Sequence, residues 1–155
     1  MGSSKITKKQ IKVRIAPCGL HCGKCFAFKE GDIGLHSQQL KYFLGDFKIY
    51  AERFVDLLDE KIFEKYSDFK EMLDYLALPQ CGGCRIDTCK LFKCCKVRDC
   101  AKSKGVDFCF ECLDFPCENT GFDKHLHDRS ITINKRIKEI GIEQYYQEIK
   151  DIPRY

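Results

Sequence analysis

The sequence predicts a small, mainly α-helical single domain whose helices pack around irregular, metal-stapled loops, with little or no β-sheet. Two observations about pattern predict this, and one about size. Apolar residues recur at three- and four-residue steps through residues 36–78 and again through 130–150, the spacing of amphipathic helices. Twelve cysteines crowd into a first cluster and a dense run at 81–117, stretches too poor in periodic apolar residues to form an ordinary core. At 155 residues, with 12 Phe and 7 Tyr, the chain supports one modest core yet is small enough to benefit from metal cross-links. The aromatics exclude a metallothionein-like chain, in which metal replaces the core.

The elements follow in order. Ile11, Val13 and Ile15 alternate with Lys12 and Arg14, which reads as a short strand or extended lead-in stopped by Pro17. Gly19, Gly23, Gly31 and Gly34 make 18–35 a turn-rich loop, the conformation a metal knuckle needs. From residue 36 the period changes. Leu40, Phe43, Leu44, Phe47, Ala51, Phe54, Val55, Leu58 and Ile62 mark helix, with Gly45 dividing the stretch in two. Tyr66, Phe69, Leu73 and Leu76 mark a further helix ended by Leu78-Pro79. Aromatic stripes at this spacing read as helix core rather than as a ligand box. Short helical turns are expected between residues 90 and 104. After a turn at Asn119-Thr120-Gly121, Ile131, Ile133, Ile137 and Ile140 read as a helix stopped by Gly141. Ile142, Tyr145, Tyr146 and Ile149 suggest a last short helix before Pro153.

The cysteines carry the chemistry. Cys18-x3-Cys22-x2-Cys25 opens the chain, and Cys81, Cys84, Cys89, Cys94, Cys95, Cys100, Cys109, Cys112 and Cys117 form the run. Cys22/Cys25, Cys81/Cys84 and Cys109/Cys112 have the C-x2-C spacing that lets one turn point two thiolates at one ion. Cys81-x2-Cys84-x4-Cys89 and Cys109-x2-Cys112-x4-Cys117 share a spacing, so a short cysteine unit is used twice. Structural zinc takes four ligands, and twelve cysteines supply three such sites. Adjacent Cys94 and Cys95 project in different directions and rarely serve one mononuclear site, so two to three sites is the expectation. Iron–sulfur clusters use the same thiolates and are the alternative, although the run lacks the bacterial C-x2-C-x2-C-x3-C-P spacing. Cys18-x3-Cys22-x2-Cys25 also matches the spacing of radical S-adenosylmethionine enzymes. Lys24 sits where those carry an aromatic, and no strand–helix repeats follow to build their barrel.

His21 and the pair His125 and His127 are candidate ligands, read here as exposed or as partners of the ligands rather than ligands themselves. No H-E-x-x-H, nucleophile elbow or phosphate-binding loop accompanies them, and no catalytic residue is nominated. Thiol redox through Cys81-Gly-Gly-Cys84 would normally follow a strand and open a helix, a context not predicted here.

Composition constrains the setting. No long apolar run provides a membrane span, and 1–16 lacks the continuous apolar stretch of a secretory signal. A disulfide framework needs an oxidising compartment, so reduced, cytoplasmic and metal-bound cysteines are expected. The formal charge of +4 counts every cysteine as neutral. Four thiolates around one dication leave two negative charges, so two such sites cancel that +4 and three leave a net −2. Nucleic-acid binding is therefore not supported by charge. The cations Lys90, Lys93, Lys96, Arg98, Lys102 and Lys104 would sit beside anionic thiolates and balance them.

One resemblance joins these motifs. Cys18-Gly-Leu-x-Cys22-x2-Cys25, Cys81-Gly-Gly-Cys84, Cys95-x-Val-Arg98-x-Cys100-Ala and Gly105-Val-x2-Cys109-x2-Cys112-x3-Pro116-Cys117 occur in that order. The set resembles a domain-of-unknown-function family of small cysteine-rich prokaryotic proteins, often labelled zinc-binding. The tail Ile137-Lys-Glu-Ile-Gly-Ile-Glu is similar too. The resemblance implies Cys18, Cys22, Cys25, Cys81, Cys84, Cys95, Cys100, Cys109, Cys112 and Cys117 as ligands, with Cys89 and Cys94 outside its pattern. It implies no activity. The expected function is an intracellular zinc-stapled module that binds a protein partner.

Overall fold

The computed structural model describes residues 6–87 and 89–155. They form seven α-helices: α1 Lys8–Arg14, α2 Asp32–Leu44, α3 Phe47–Leu57, α4 Tyr66–Leu76, α5 Val97–Lys104, α6 Lys124–Ile140 and α7 Ile142–Ile149. Three 3-10 turns, Cys22–Lys24, Lys61–Lys65 and Cys109–Glu111, complete the elements. The architecture is mainly α, as the periodicity predicts. The chain divides into two compact units, Met1–Cys25 with Cys81–Tyr155, and Phe26–Gln80.

The predicted strand at 11–15 is instead helix α1, and the reason is local. Thr7 accepts a hydrogen bond from the Gln10 amide while the Gln10 side chain reaches back to the Thr7 amide, a capping box that starts a helix. Ile11 and Ile15 then lie one turn apart on one buried face, a spacing that period-two alternation also satisfies. Only Ile15, just past the helix, is extended, in an isolated antiparallel bridge with His21.

In the first unit, Ile11, Ile15, Phe108, Ile137, Ile142 and Tyr145 pack into one cluster, so α1, α6, α7 and the loop before Cys109 share a core. Side chains of this type each contribute about 1.5–3 kcal/mol on burial. A second cluster is built on Ala16, Cys18, Leu20, Val97 and Leu126, with Cys22, Cys84, Cys95 and Cys109 packed against it. Here thiols take the place of aliphatic core side chains. Helix α6 starts earlier than its isoleucine pattern, because the Asp123 carboxylate caps the Leu126 amide.

Asn134 of α6 is fully buried and bridges elements. Its Oδ1 accepts from the Phe110 amide and its Nδ2 donates to the Ser130 carbonyl, both at 3.1 Å. The turn predicted at residues 119–121 is pressed against the chain at Cys94. Gly121 has φ +73°, and a Cβ there would fall 1.9 Å from the Cys94 carbonyl oxygen.

In the unit Phe26–Gln80, Phe47, Phe54, Phe63 and Tyr66 form a ring cluster with centroids 5.3–6.1 Å apart. That much of the aromatic stripe is packing. Leu40, Phe43, Leu58, Ile62 and Phe69 differ from the expectation of helix core and are exposed, and in α2 Phe43 is 79% exposed beside Tyr42 at 81%. The reason in α2 is that the helix buries its small residues instead. Gly34 lies against Pro79, Ser37 is buried, and Gln38 donates to the Ala77 carbonyl at 2.9 Å. No helix of the described residues is long and apolar enough to cross a membrane.

Two outcomes test this packing. Asn134→Leu leaves the half-buried Phe110 amide without its acceptor and should cost about 1–3 kcal/mol in urea unfolding; an unchanged midpoint contradicts the bridging role. Asp107 is ion-paired with Lys12, and the Arg85 Nη1 lies 3.9 Å from its Oδ1. The Lys12 ammonium, bonded to it, holds its carboxyl below the usual range. A depressed folded-state value means the pair stabilises the fold above the ordinary aspartate range and loses that effect as pH falls through the depressed value. Carboxyl ¹³C titration should place Asp107 below ordinary aspartates, and Lys12→Met should move it up. A midpoint unmoved by that change contradicts the pairing.

Candidate metal centre

All twelve cysteines are free thiols, and all lie in the first unit. Two of the C-x2-C pairs are made by the same backbone device. Cys22–Lys24 and Cys109–Glu111 are single 3-10 turns closed by Cys25 N–H to Cys22 O at 2.9 Å and Cys112 N–H to Cys109 O at 3.1 Å. The closing residues share one conformation: Cys25 at φ −75°, ψ 139° and Cys112 at φ −76°, ψ 139°. The unit repeated in backbone is thus 22–25 with 109–112, rather than the 81–89 and 109–117 spacing that the sequence suggests.

Three sequence-distant segments are tied together. The Cys109 amide donates to the Pro17 carbonyl at 3.0 Å, and Ser130 Oγ donates to the Cys18 carbonyl at 2.9 Å. Gly19 explains the glycine after Cys18: with φ +88°, a Cβ there would sit 2.3 Å from Ile133 Cγ2. The knuckle can therefore lie directly on α6.

The sulfurs gather in two groups. In the first, Cys22 Sγ and Cys84 Sγ are 3.8 Å apart, and Cys84 also engages Cys89. The hydrogen bond with Cys84 lowers Cys22 to about 7 and Cys89 to about 5, with the Arg154 guanidinium assisting both. Cys84 is pushed up by its hydrogen bonds to Cys22 and Cys89 and by burial. Burial pushes Cys18 up, and the nearby sulfurs of Cys22, Cys95 and Cys109 add to this. Burial also raises Cys81, which lies near Cys22 and Cys25. In the second group, Cys100, Cys109, Cys112 and Cys117 line one cavity of about 30 Å³. Cys109 there is pushed up to about 12, chiefly by burial and then by Cys117, Cys100 and Cys112.

Donors from the surrounding chain point at several sulfurs. Backbone amides of Gly83, Phe92 and Asp114 donate to Cys81, Cys89 and Cys112 at 3.3–3.4 Å. Lys104 Nζ donates to Cys112 Sγ at 3.4 Å and also pairs with Asp114. Tyr155 Oη lies 3.7 Å from Cys25 Sγ, and Arg154 donates to the His21 carbonyl at 2.7 Å. Sequence reasoning missed Arg154 and Tyr155, since nothing in the last four residues signals a return to the first knuckle.

The remaining candidates separate clearly. Cys94 is exposed, while its neighbour Cys95 is half-buried against the core. The structure places Cys89 against Cys84. His125 is exposed on α6, whereas His127 is buried and its Nε2 lies 2.9 Å from the Cys117 carbonyl oxygen. His21 packs edge-on against Tyr146 at 5.7 Å.

The donor set is almost purely thiol, the chemistry of a soft or borderline cation. Among the described residues, however, no three Cys, His, Asp or Glu donors stand close enough together to hold an ion as placed. The sulfurs are gathered but not closed on a point.

Fold and site together define a mainly helical, cysteine-rich domain. A family described as Protein of unknown function (DUF3795) matches residues 14–122, and the chain belongs to that family. The match includes every cysteine and stops before α6, so the tail 137–143, α7 and the Arg154–Tyr155 contacts lie beyond it. No curated protein matches the chain, and no solved structure matches it.

Proposed function

We propose that this chain is a metal-stapled cytoplasmic module whose cysteines hold zinc in two to three structural sites, and whose work is binding a protein partner. One observation carries the reading: reduced thiols from three separate segments are brought together inside one unit, four of them around a single small cavity. Cys100, Cys109, Cys112 and Cys117 would form one site. Cys18, Cys22, Cys84 and Cys89, with Cys25, Cys81 and Cys95 near them, would supply the rest. The bound ion would supply positive charge that lets several neighbouring sulfurs be thiolates at once, and each closed site would add folding free energy directly. The amides and the Lys104 ammonium beside the sulfurs support this, because N–H donors favour the thiolate form. The exposed apolar side chains of α2 to α4 speak for the partner.

Elemental analysis of protein expressed without added metal tests the reading. Two to three zinc ions per chain are expected, in a colourless protein. An iron–sulfur protein would be brown when purified anaerobically. Cys84→Ser and Cys112→Ser should each lower metal content by one site and loosen residues 81–117. Unchanged stoichiometry and melting temperature in both variants contradict the assignment.

A further inference from the structure

The cationic run at residues 90–104 is only partly used near sulfur. Lys104 pairs with Cys112 and Asp114, and Lys96 reaches Asn119. Arg98 and Lys102 face elsewhere. With Arg85, they line a second cavity of about 470 Å³ beside α5. Cavities that hold small organic ligands span about 300–1,000 Å³. Among the described residues, no carboxylate lines this one.

The three cations differ usefully. Arg85 is fixed in place: its Nε and Nη2 donate to the carbonyls of Lys12 and Asp107 at 2.7 Å, and its guanidinium lies 5.0 Å over the Phe108 ring. Its Nη1 has only the 3.9 Å approach to Asp107, whose carboxylate is already bonded by Lys12. Arg98 pairs with the exposed carboxylate of Asp99, its chain neighbour. The Lys102 ammonium has no hydrogen-bond or ion-pair partner among the described residues. The opposite character comes from Pro17, Val106 and Ile86, the last 69% exposed, which give the cavity an apolar side.

We propose that this cavity binds a small organic phosphate monoester, with Arg85, Arg98 and Lys102 around the phosphate and Pro17, Ile86 and Val106 against the organic body. Two guanidinium forks and one ammonium match a dianionic, multi-oxygen group better than a single carboxylate. The volume exceeds what a bare phosphate fills, and the apolar side supplies the contact that distinguishes an ester from the free ion. Cys84 also lines the cavity, so the site borders the proposed zinc ligands, but the three cations and the apolar side chains that would bind the ester are not themselves ligands in that reading.

Amide chemical-shift titration of the full chain as isolated, with phenyl phosphate as probe, tests it. Saturable shifts should map to residues 85–86 and 98–106, with affinity in the millimolar range or tighter. Inorganic phosphate and benzoate should bind at least about tenfold more weakly, and Lys102→Met and Arg98→Met should each weaken phenyl phosphate about tenfold. Both substitutions lie on the outside of α5, and unchanged spectra elsewhere report an intact fold. No saturable shift, shifts that map away from the cavity, or unchanged affinity in both variants overturns the site. Inorganic phosphate binding as tightly as phenyl phosphate overturns the organic-ester assignment.

Discussion

The fold depends on how it accommodates crowded sulfur. Cysteine packs as a small apolar side chain when protonated, and the cluster of Ala16, Leu20, Val97 and Leu126 uses it that way, with Cys18 buried inside and four other thiols against it. Neutral thiols can share such a core at little cost. Several thiolates cannot, because like charges a few ångströms apart in a poorly solvated region repel strongly. The acidities express that conflict: Cys84 is pushed up while its neighbours Cys22 and Cys89 are held below the usual thiol value. A bound cation removes the conflict by letting neighbours ionise together. On the proposed zinc reading, the ion would serve charge balance as well as cross-linking.

Part of the support around the sulfurs is applied to the backbone that carries them. His127 reaches the Cys117 carbonyl, Ser130 the Cys18 carbonyl and Arg154 the His21 carbonyl, so these three polar side chains hold the knuckle backbones, whereas Lys104 and Tyr155 reach sulfurs directly. Two of these three lie on α6, and the third is near the C-terminus. All three fall outside the stretch that matches the family. In this chain the cysteine-bearing region is thus oriented by elements that the family's shared portion does not include.

Much of the fold was legible because helices are written locally. The isoleucine spacing before Gly141, the glycine break at Gly45 and the turn at 119–121 each depend on a few neighbouring residues, and each is where the pattern puts it. Helix α1 was misread because Ile11, Val13 and Ile15 satisfy two periods, and the Thr7–Gln10 box decides between them. Phe43 was misread because periodicity reports that a face is apolar, without saying whether small residues on another face make the contact. At the site, cysteine identity was legible and grouping was not. Cys22 meets Cys84 across 62 residues, and no spacing rule specifies that encounter. The separation of Lys104 from Lys102 was equally hidden, since both lie in one basic run and differ only in which side of α5 they occupy.

Hydrogen exchange across the whole chain, measured as isolated and after a strong chelator, bears most directly on whether cations hold the cysteine region together. The account predicts that amides of 18–25 and 81–117 lose protection when metal is withdrawn, while α2, α3 and α4 in the unit Phe26–Gln80 keep theirs. A protein that carries no metal when isolated, or one whose exchange is the same before and after chelation, would contradict it.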